Sequence, residues 1–330
     1  MRRTDRRNFI LAAGALAASP FVRAQQPATQ SAVIGILEYG TGEGFEQSIA
    51  AFKEGLREGG FVEGRNLRIE RQFANDDYRK INRLAEDLVR ANVQVIYAPG
   101  PWGVHAAKAA TKTIPIVFSG INDPVRVKFV ESLARPGGNI TGISFASYAL
   151  TKKRVELLRE MFPSARRLGV IFDEDIAKAC QIELKEIGQA GQQLGVEMRE
   201  YPYAEKRDLQ GAFDSAKRAQ VAAMLIPTTN EARRFAKELV VQSVGSRIPT
   251  VHDSVESVEA GGLMSFGPQH GWGQRRAGLY VARILKGEKP ASLPVEQPHA
   301  YELVINLKIA RAMGISIPQS VLLRADRVIE

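Results

Sequence analysis

Short apolar runs, each followed by polar residues, recur in two series along this chain. The runs of the second series follow the same order as those of the first, about 130 residues further on. They are residues 33–37, 67–71, 94–98 and 114–118 in the first series and 168–172, 196–200, 222–226 and 248–252 in the second. Segments with apolar residues at helical spacing separate the runs, so each series predicts alternating strands and helices. Two such units in tandem predict two similar α/β lobes with a cleft between them.

Three further segments predict where the chain passes between the lobes. They are a short strand at 140–145, a turn and strand at 259–266, and the proline-rich stretch 289–298, which cannot be helix interior or central strand. We therefore predict an α/β fold of two Rossmann-like lobes with parallel sheets, joined by a multi-strand hinge. The predicted first lobe contains residues 32–145 plus about 267–290, and the second contains residues 146–266 plus about 291–330.

The first 24 residues have the pattern of an export signal peptide. Arginines precede a short, alanine-rich apolar stretch at 10–18, and Val22-Arg23-Ala24 offers a small-residue cleavage site. Residues 5–10 resemble a twin-arginine export motif, and the polar residues 25–31 predict a tether. We expect a periplasmic protein whose mature form is soluble and monomeric.

The net charge argues against a nucleic-acid partner, and the cysteine content excludes an intramolecular disulfide. Without residues 1–24 the formal net charge falls from +9 to +5, because five arginines and one aspartate are removed. Such a mildly basic surface gives little support for a nucleic-acid partner, and we expect none. Cys180 is the only cysteine of the sequence, so the fold has no intramolecular disulfide and depends on apolar burial.

Polar and aromatic residues follow the predicted strands of both lobes. Because ligands of parallel α/β sheets bind outside the carboxyl ends of the strands, these residues form the candidate ligand-binding site. Residues 100–103 open a helix whose N–H groups suit a carboxylate, and Trp102 or Tyr39 would cover the apolar part of a ligand. The candidates are Glu38, Tyr39, Gly100, Trp102, Gly103, Ser119, Asn122 and Asp123 in the first lobe and Asp173, Thr228, Asn230, His252 and Asp253 in the second.

Each of these candidates has a structural alternative. Asp, Ser, Thr and Asn after strands often cap helices, and Asp173 is a strong candidate for that role. Trp102 would also fit between packed helices. The functional interpretation is favoured because both lobes place such groups at the same sheet edge.

Motifs of catalysis and cofactor binding are weak in this sequence. Residues 40–45 follow a strand as a dinucleotide-binding loop would, but Phe45 occupies the third glycine position. The four histidines lack metal-ligand spacing, and no nucleophile, base and orienting group come together. We therefore expect a protein that is not an enzyme and that uses no cofactor and no metal.

Seven ordered blocks carry a resemblance to a known family, among them Arg135-Pro136-Gly137-Gly138-Asn139-Ile140-Thr141-Gly142. The blocks are residues 51–64, 113–118, 123–125, 132–142, 258–268, 293–298 and 302–308. From about Ala32 to Glu330 the chain resembles the substrate-binding proteins of ABC transporters with the type I periplasmic-binding fold, specifically the group related to tryptophan and tyrosine receptors.

The resemblance implies capture of a small carboxylate-bearing solute, an amino acid or an aromatic acid, and its delivery to an ABC permease in the inner membrane. It also implies that residues 102–104 and 119–123 bind the ligand's carboxylate, while Asp253 or Glu256 binds its amino group. Two alternatives stay open at this point. One is a two-lobed hydrolytic enzyme that uses Asp123, Asp173 or Asp253, and the other is a ligand sensor that feeds a signalling partner. The leader argues against a third, the sensory core of a transcription regulator.

Overall fold

The computed structural model describes residues 31–330 except 43–44, 76, 146, 175–176, 228–234 and 270, with the backbone alone for 147–149 and 177–180. The predicted export signal and the tether up to residue 30 lie outside the described residues. So do the site candidates Thr228 and Asn230. Within the described ranges, no helix combines the length and apolar character needed to cross a membrane.

The first lobe is built on a parallel sheet of five strands. They are β1 Ala32–Glu38, β2 Leu67–Phe73, β3 Val95–Pro99, β4 Ile116–Ile121 and β5 Ile140–Ser144, in the spatial order β2-β1-β3-β4-β5. The helices that connect them are α1 Glu46–Glu58, α2 Tyr78–Arg90 and α3 Pro101–Ala110. β3 and β5 are buried along their whole length, because helices cover both faces of the sheet.

Helix α2 illustrates how the sequence determines these elements. The side chain of Asp77 accepts a hydrogen bond from the backbone N–H of Arg79 at 3.1 Å and so caps the start of the helix. Ile81, Ala85 and Leu88 follow at helical spacing and are buried against the sheet. The cap and the apolar stripe together account for the predicted helix.

The second lobe repeats this arrangement and extends it. Its strands are β6 Arg167–Asp173, β7 Glu197–Tyr203, β8 Met224–Leu225, β9 Thr250–His252, β10 Met264–Pro268, β11 Tyr301–Asn306 and β12 Arg327–Ile329. Its helices up to β10 are α4 Ser147–Met161, α5 Ala177–Gln193, α6 Leu209–Arg218, α7 Ala236–Ser246 and α8 Val255–Glu259. The later α-helices that the structure describes are α9 Trp272–Leu285, α10 Leu307–Met313 and α11 Gln319–Leu322.

The strand order of the second sheet confirms the predicted duplication. The order β7-β6-β8-β9-β10 reproduces the order β2-β1-β3-β4-β5 of the first sheet, with all neighbours parallel. β11 then pairs antiparallel with β10, and β12 pairs parallel with β11. The carboxyl ends of the duplicated strands define one edge of each sheet, and these are the edges where ligands of such folds bind.

Helix α9 returns the chain from the second sheet to the first lobe, where it packs on α1. A Cβ added at Gly55 would overlap the carbonyl oxygen of Arg275, and one added at Gly278 would overlap that of Phe52. The backbones of α1 and α9 therefore approach closely, and each helix has a glycine at the contact. Apolar residues of α9, including Ala277 and Val281, complete the core on one face of the first sheet.

The third connection stays on the first lobe longer than the sequence indicated. The hydroxyl of Thr141 donates to the carbonyl of Leu293 at 2.7 Å, and the N–H of Ser144 donates to the carbonyl of Glu296 at 2.9 Å. Leu293 and Val295 lie in cores of the first lobe. The expected transfer to the second lobe at about 291 is therefore too early, because extended residues 293–296 pack along β5 first.

Candidate functional site

The strand ends of the first lobe meet where the sequence predicted a site. β1, β3 and β4 are neighbours in the sheet, so their carboxyl ends bring Glu38, Gly100 and residues 119–123 to one edge. The N–H of Gly100 donates to the carbonyl of Ser119 at 2.9 Å, which ties the β3 and β4 ends together. Glu38 is buried, and one of its carboxylate oxygens accepts a hydrogen bond from the N–H of Gly40 at 3.0 Å.

Helix α3 begins at this edge and is held there by glycine. Gly100 has φ 81° and provides no side-chain cap, while Pro101 needs no hydrogen-bond acceptor at the first helical position. A Cβ added at Gly103 would lie 2.6 Å from the carbonyl oxygen of Leu37, so only glycine allows the helix to start this close to β1. The N–H groups of the first turn have no acceptor within the helix, which makes this end suitable for an anionic group.

Two aromatic residues stand beside the start of α3. The ring centroids of Tyr39 and Trp102 are 5.8 Å apart with planes tilted by 32°. Trp102 is 43% exposed, which is unusual for so large an apolar side chain and does not fit the alternative in which it packs between helices. The pair forms an aromatic surface at the candidate site.

Ser119 faces the interior of the first lobe. Its hydroxyl lies 2.8 Å from the hydroxyl of Tyr97, whose ring stacks on Phe52 with centroids 4.0 Å apart. Burial raises the pKa of Tyr97 far above its usual value, so the phenol stays protonated. The structure therefore favours a structural role for the side chain of Ser119, in contrast to its predicted role in ligand binding.

Asn122 and Asp123 differ in how their side chains are used. Asp123 accepts the backbone N–H of Arg126 at 3.0 Å and so stabilises a turn. The backbone carbonyl of Asn122 accepts the hydroxyl of Ser144 at 3.0 Å, which links the β4 and β5 ends. The side-chain oxygen Oδ1 of Asn122 is buried and has no hydrogen-bond donor among the described residues. A buried acceptor without a donor is costly, so Asn122 is the more informative of the two.

The second lobe presents two buried carboxylates at the corresponding edge. Asp173 ends β6 and Asp253 follows β9, and both are buried. A Cβ added at Gly267 would overlap the backbone carbonyl of Asp253, so the end of β10 lies directly against this loop. These carboxylates are the acidic groups of the candidate site.

His252 lies inside the second lobe, in contrast to its predicted position at the cleft edge. The residue is 1% exposed, and its Nε2 is 2.9 Å from the hydroxyl oxygen of Thr250. Burial lowers the pKa of His252 to about 4, with Arg154 acting in the same direction and Asp253 opposing it. The ring is therefore neutral near pH 7 and packs in the interior beside Gly262.

Sequence reasoning missed a buried ion pair behind the second half of the site. Arg154 on α4 is 0% exposed, and its Nη1 lies 3.7 Å from Oε1 of Glu183 on α5, which is 1% exposed. The sequence did indicate that Arg154 is buried, because it shares a helix face with the apolar Leu150 and Leu157. A charge on an apolar stripe indicates a buried partner.

A cavity of about 400 Å³ lies elsewhere on the first lobe. It is bounded by α1, Gln269, Gly271 and the first turns of α9, with Glu54, Glu58, Trp272 and Arg275 among its walls. It is thus separate from the strand ends that carry the candidate site. Among the residues that the structure describes, no group of three or more His, Cys, Asp or Glu side chains is placed to hold a metal ion.

Comparison with known proteins agrees with this architecture. The family model described as ABC transporter substrate binding protein matches residues 32–329. The chain belongs to this family. It is a family of solute-binding proteins, and the resemblance inferred from the sequence is confirmed.

Relatives of this substrate-binding protein share its fold along most of their length. A tyrosine-binding protein of Clostridioides difficile (strain R20291) is 26% identical over 284 residues, which are 86% of this chain and 81% of the relative. A conserved domain protein from Vibrio cholerae is 27% identical, with a TM-score of 0.82 over 90% of this chain and 99% of that one. An ABC domain from Streptococcus pneumoniae in complex with L-Trp is 24% identical, with a TM-score of 0.81 over 91% and 100%. The two-lobed α/β fold with parallel sheets is that of type I periplasmic binding proteins.

Proposed function

We propose that this protein is the extracytoplasmic receptor of an ABC importer and that it closes its lobes on a small aromatic amino acid. The observation that carries the proposal is the exposed Trp102, paired with the half-buried Tyr39 beside the uncapped start of α3. In this proposal the ring of the ligand lies against the indole, and its carboxylate accepts hydrogen bonds from the first turn of α3. Two relatives, a tyrosine-binding protein and a protein in complex with L-Trp, support this class of ligand.

The second lobe supplies the groups for the ligand's ammonium. Asp173 and Asp253 are the acidic groups at its edge, and Oδ1 of Asn122 in the first lobe is a further acceptor. Hydrogen bonds from an ammonium to carboxylates are stronger than those between neutral groups, so they would distinguish an amino acid from the corresponding keto acid. Such a contact forms only when the lobes approach one another.

Closure of the lobes is the step that transmits binding. Three connections of the described chain join the lobes, between β5 and α4, between β10 and α9, and between residues 296 and 301, so in this proposal the lobes turn about one hinge and do not separate. A ligand favours the closed form by the extra contacts that it makes there. The closed receptor then presents surfaces of both lobes to a permease in the inner membrane, and no covalent chemistry is required. This function places the mature protein in the periplasm.

The direct test is to purify the mature protein without denaturation and to identify any small molecule that accompanies it. The protein, once freed of ligand, is titrated calorimetrically with L-tryptophan, L-tyrosine, L-phenylalanine, tryptamine and indole-3-pyruvate. We expect binding of at least one aromatic amino acid, with weaker binding of tryptamine and the keto acid, which each lack one charged group. A ligand at one hundred times its dissociation constant raises the stability by about 2.7 kcal/mol. Turnover of any of these compounds, or binding of none, would refute the proposal.

A pair of variants tests the aromatic surface. Trp102→Ala should weaken binding of the aromatic ligand about tenfold or more, because a buried aromatic contact is lost. Val62→Ala is the control, since Val62 is 36% exposed between the end of α1 and the start of β2, at the opposite edge of the first sheet. The control should bind as the wild type does. Equal affinity of Trp102→Ala and wild type would remove Trp102 from the site.

A further inference from the structure

The guanidinium of Arg154 is the centre of a buried polar cluster that joins three elements of the second lobe. Its Nε donates to the backbone carbonyl of Phe266 on β10 at 2.8 Å. Its Nη1 faces Oε1 of Glu183 on α5 at 3.7 Å, and the same oxygen accepts the hydroxyl of Thr151 on α4 at 3.0 Å. The cluster therefore fixes β10 relative to α4 and α5.

The carbonyl that Arg154 binds belongs to Phe266, which lies near both the candidate site and the connection to the first lobe. Phe266 is the third residue of β10, and two residues later the chain leaves the sheet for the first lobe. On its other side, β10 pairs with β9, and Gly267 lies against the backbone carbonyl of Asp253. A shift of the β10 end would therefore move the Asp253 loop and the start of the connection to α9 together.

Stability alone is a poor explanation for this cluster. Desolvating two charges offsets much of their attraction, so a buried ion pair often contributes no more to stability than apolar residues of similar size. A planar guanidinium does offer something that an apolar residue lacks, namely several donors in a fixed geometry. That geometry holds a backbone carbonyl and a carboxylate at once. Arg154 also lies close enough to the β9 end to lower the pKa of His252.

We propose that Arg154 is a positioning residue, which sets the second-lobe half of the ligand site by holding the Phe266 carbonyl and thereby the Asp253 loop. This inference rests on the proposed function, because it assigns the Asp253 loop to ligand recognition. Arg154 touches no ligand in this scheme. It determines where the carboxylate of the second lobe stands when the lobes close.

The test separates positioning from stability with two substitutions made singly and together. Arg154→Met alone leaves the carboxylate of Glu183 buried without its cation and should lower the melting temperature strongly. Arg154→Met combined with Glu183→Leu removes both charges and should restore melting close to that of the wild type. In the double variant we expect faster amide hydrogen exchange in residues 252–254 and 264–267. We also expect about a tenfold higher dissociation constant for the probes L-tryptophan and L-tyrosine.

A matched control and a conservative variant complete the design. Glu160 on α4 and Arg324, just after α11, form an exposed ion pair in the same lobe, so Glu160→Gln with Arg324→Met should leave exchange and affinity unchanged. Arg154→Lys keeps the charge but lacks the planar set of donors, so it should fold and show a smaller defect of the same kind. It serves as the decisive variant if the double variant does not fold.

The possible results lead to distinct conclusions. Wild-type exchange and wild-type affinity in a folded double variant, or in Arg154→Lys, would show that the cluster is structural only and would overturn the inference. If the wild type binds neither probe, the proposed ligand class fails. Hydrogen exchange in the absence of ligand still decides whether Arg154 fixes the Asp253 loop.

Discussion

The buried His252 makes the stability of the second lobe depend on pH. Its ring is neutral in the folded protein because burial lowers the pKa from 6.5 to about 4. In the unfolded chain the same imidazole has its ordinary pKa and takes up a proton below about pH 6.5. Between these two values the unfolded state binds more protons than the folded state. The free energy of unfolding therefore decreases as the pH falls from about 6.5 towards 4, and the contribution of His252 is fully present above that range.

The magnitude follows from the difference between the two pKa values. One pKa unit corresponds to about 1.4 kcal/mol, so the complete effect, reached below pH 4, is about 3 kcal/mol. Between pH 7 and pH 5 the expected loss is about 2 kcal/mol, because most of the unfolded chains carry the proton at pH 5 and few of the folded ones do. This loss is a sizeable part of the stability of a typical domain.

The assay is urea denaturation of wild type and His252→Gln at pH 7, 6 and 5. Glutamine has no titrating group, so the variant should lose about 2 kcal/mol less than the wild type between pH 7 and pH 5. Other acidic groups titrate equally in both proteins and cancel in the comparison. An NMR titration of the four histidines reads the pKa of His252 directly. Parallel stability curves for the two proteins, together with an ordinary pKa, would refute the burial of this ring and return His252 to the cleft edge.

Two further predictions concern the first lobe. Gly55→Ala should destabilise the protein by more than about 2 kcal/mol in chemical denaturation, because the added methyl group overlaps the carbonyl of Arg275. Its control is Gly188→Ala in the second lobe, at an exposed interior position of α5 with open space around it. This variant should instead stabilise by about 0.5–1 kcal/mol, and equal effects at the two sites would contradict the close helix contact. Tyr97→Phe leaves the buried hydroxyl of Ser119 without its phenol and should cost about 1–2 kcal/mol while ligand affinity is unchanged. A loss of affinity without a loss of stability would instead place Ser119 in the site.

The duplicated fold was predictable because it depends on patterns that repeat. Each apolar run at 33–37 and 168–172 lies at an inner position of a sheet covered by helices on both faces, and the alternation with helices gave the parallel order. The route of the third connection was harder to predict from the sequence. Its prolines excluded helix, but only the hydrogen bonds from Thr141 and Ser144 hold residues 293–296 along β5.

The sequence predicted which sheet edge the candidate residues occupy but not which way each of their side chains turns. Strand ends fix where a residue lies, whereas the face to which its side chain turns depends on the register of the strand. The side chain of Ser119 turns to Tyr97 and that of His252 to Thr250, although both residues lie near the carboxyl ends of their strands. Trp102 stays exposed because the neighbouring Gly103, and not the tryptophan, makes the close contact of α3 with the sheet. Arg154 was overlooked since its partner Glu183 comes 29 residues later on another helix.

The place of α9 in the chain governs how the protein is assembled during synthesis. Ala277 and Val281 belong to the same apolar cluster as Ile34 and Phe52, yet the ribosome makes them only after most of the second lobe. A nascent chain that ends near residue 145 has its five strands and α1, but the part of the sheet face that α9 covers is still open to water. No single cut separates the protein into two self-sufficient fragments. The core of the amino-terminal lobe is therefore completed only after more than a hundred further residues have been synthesised.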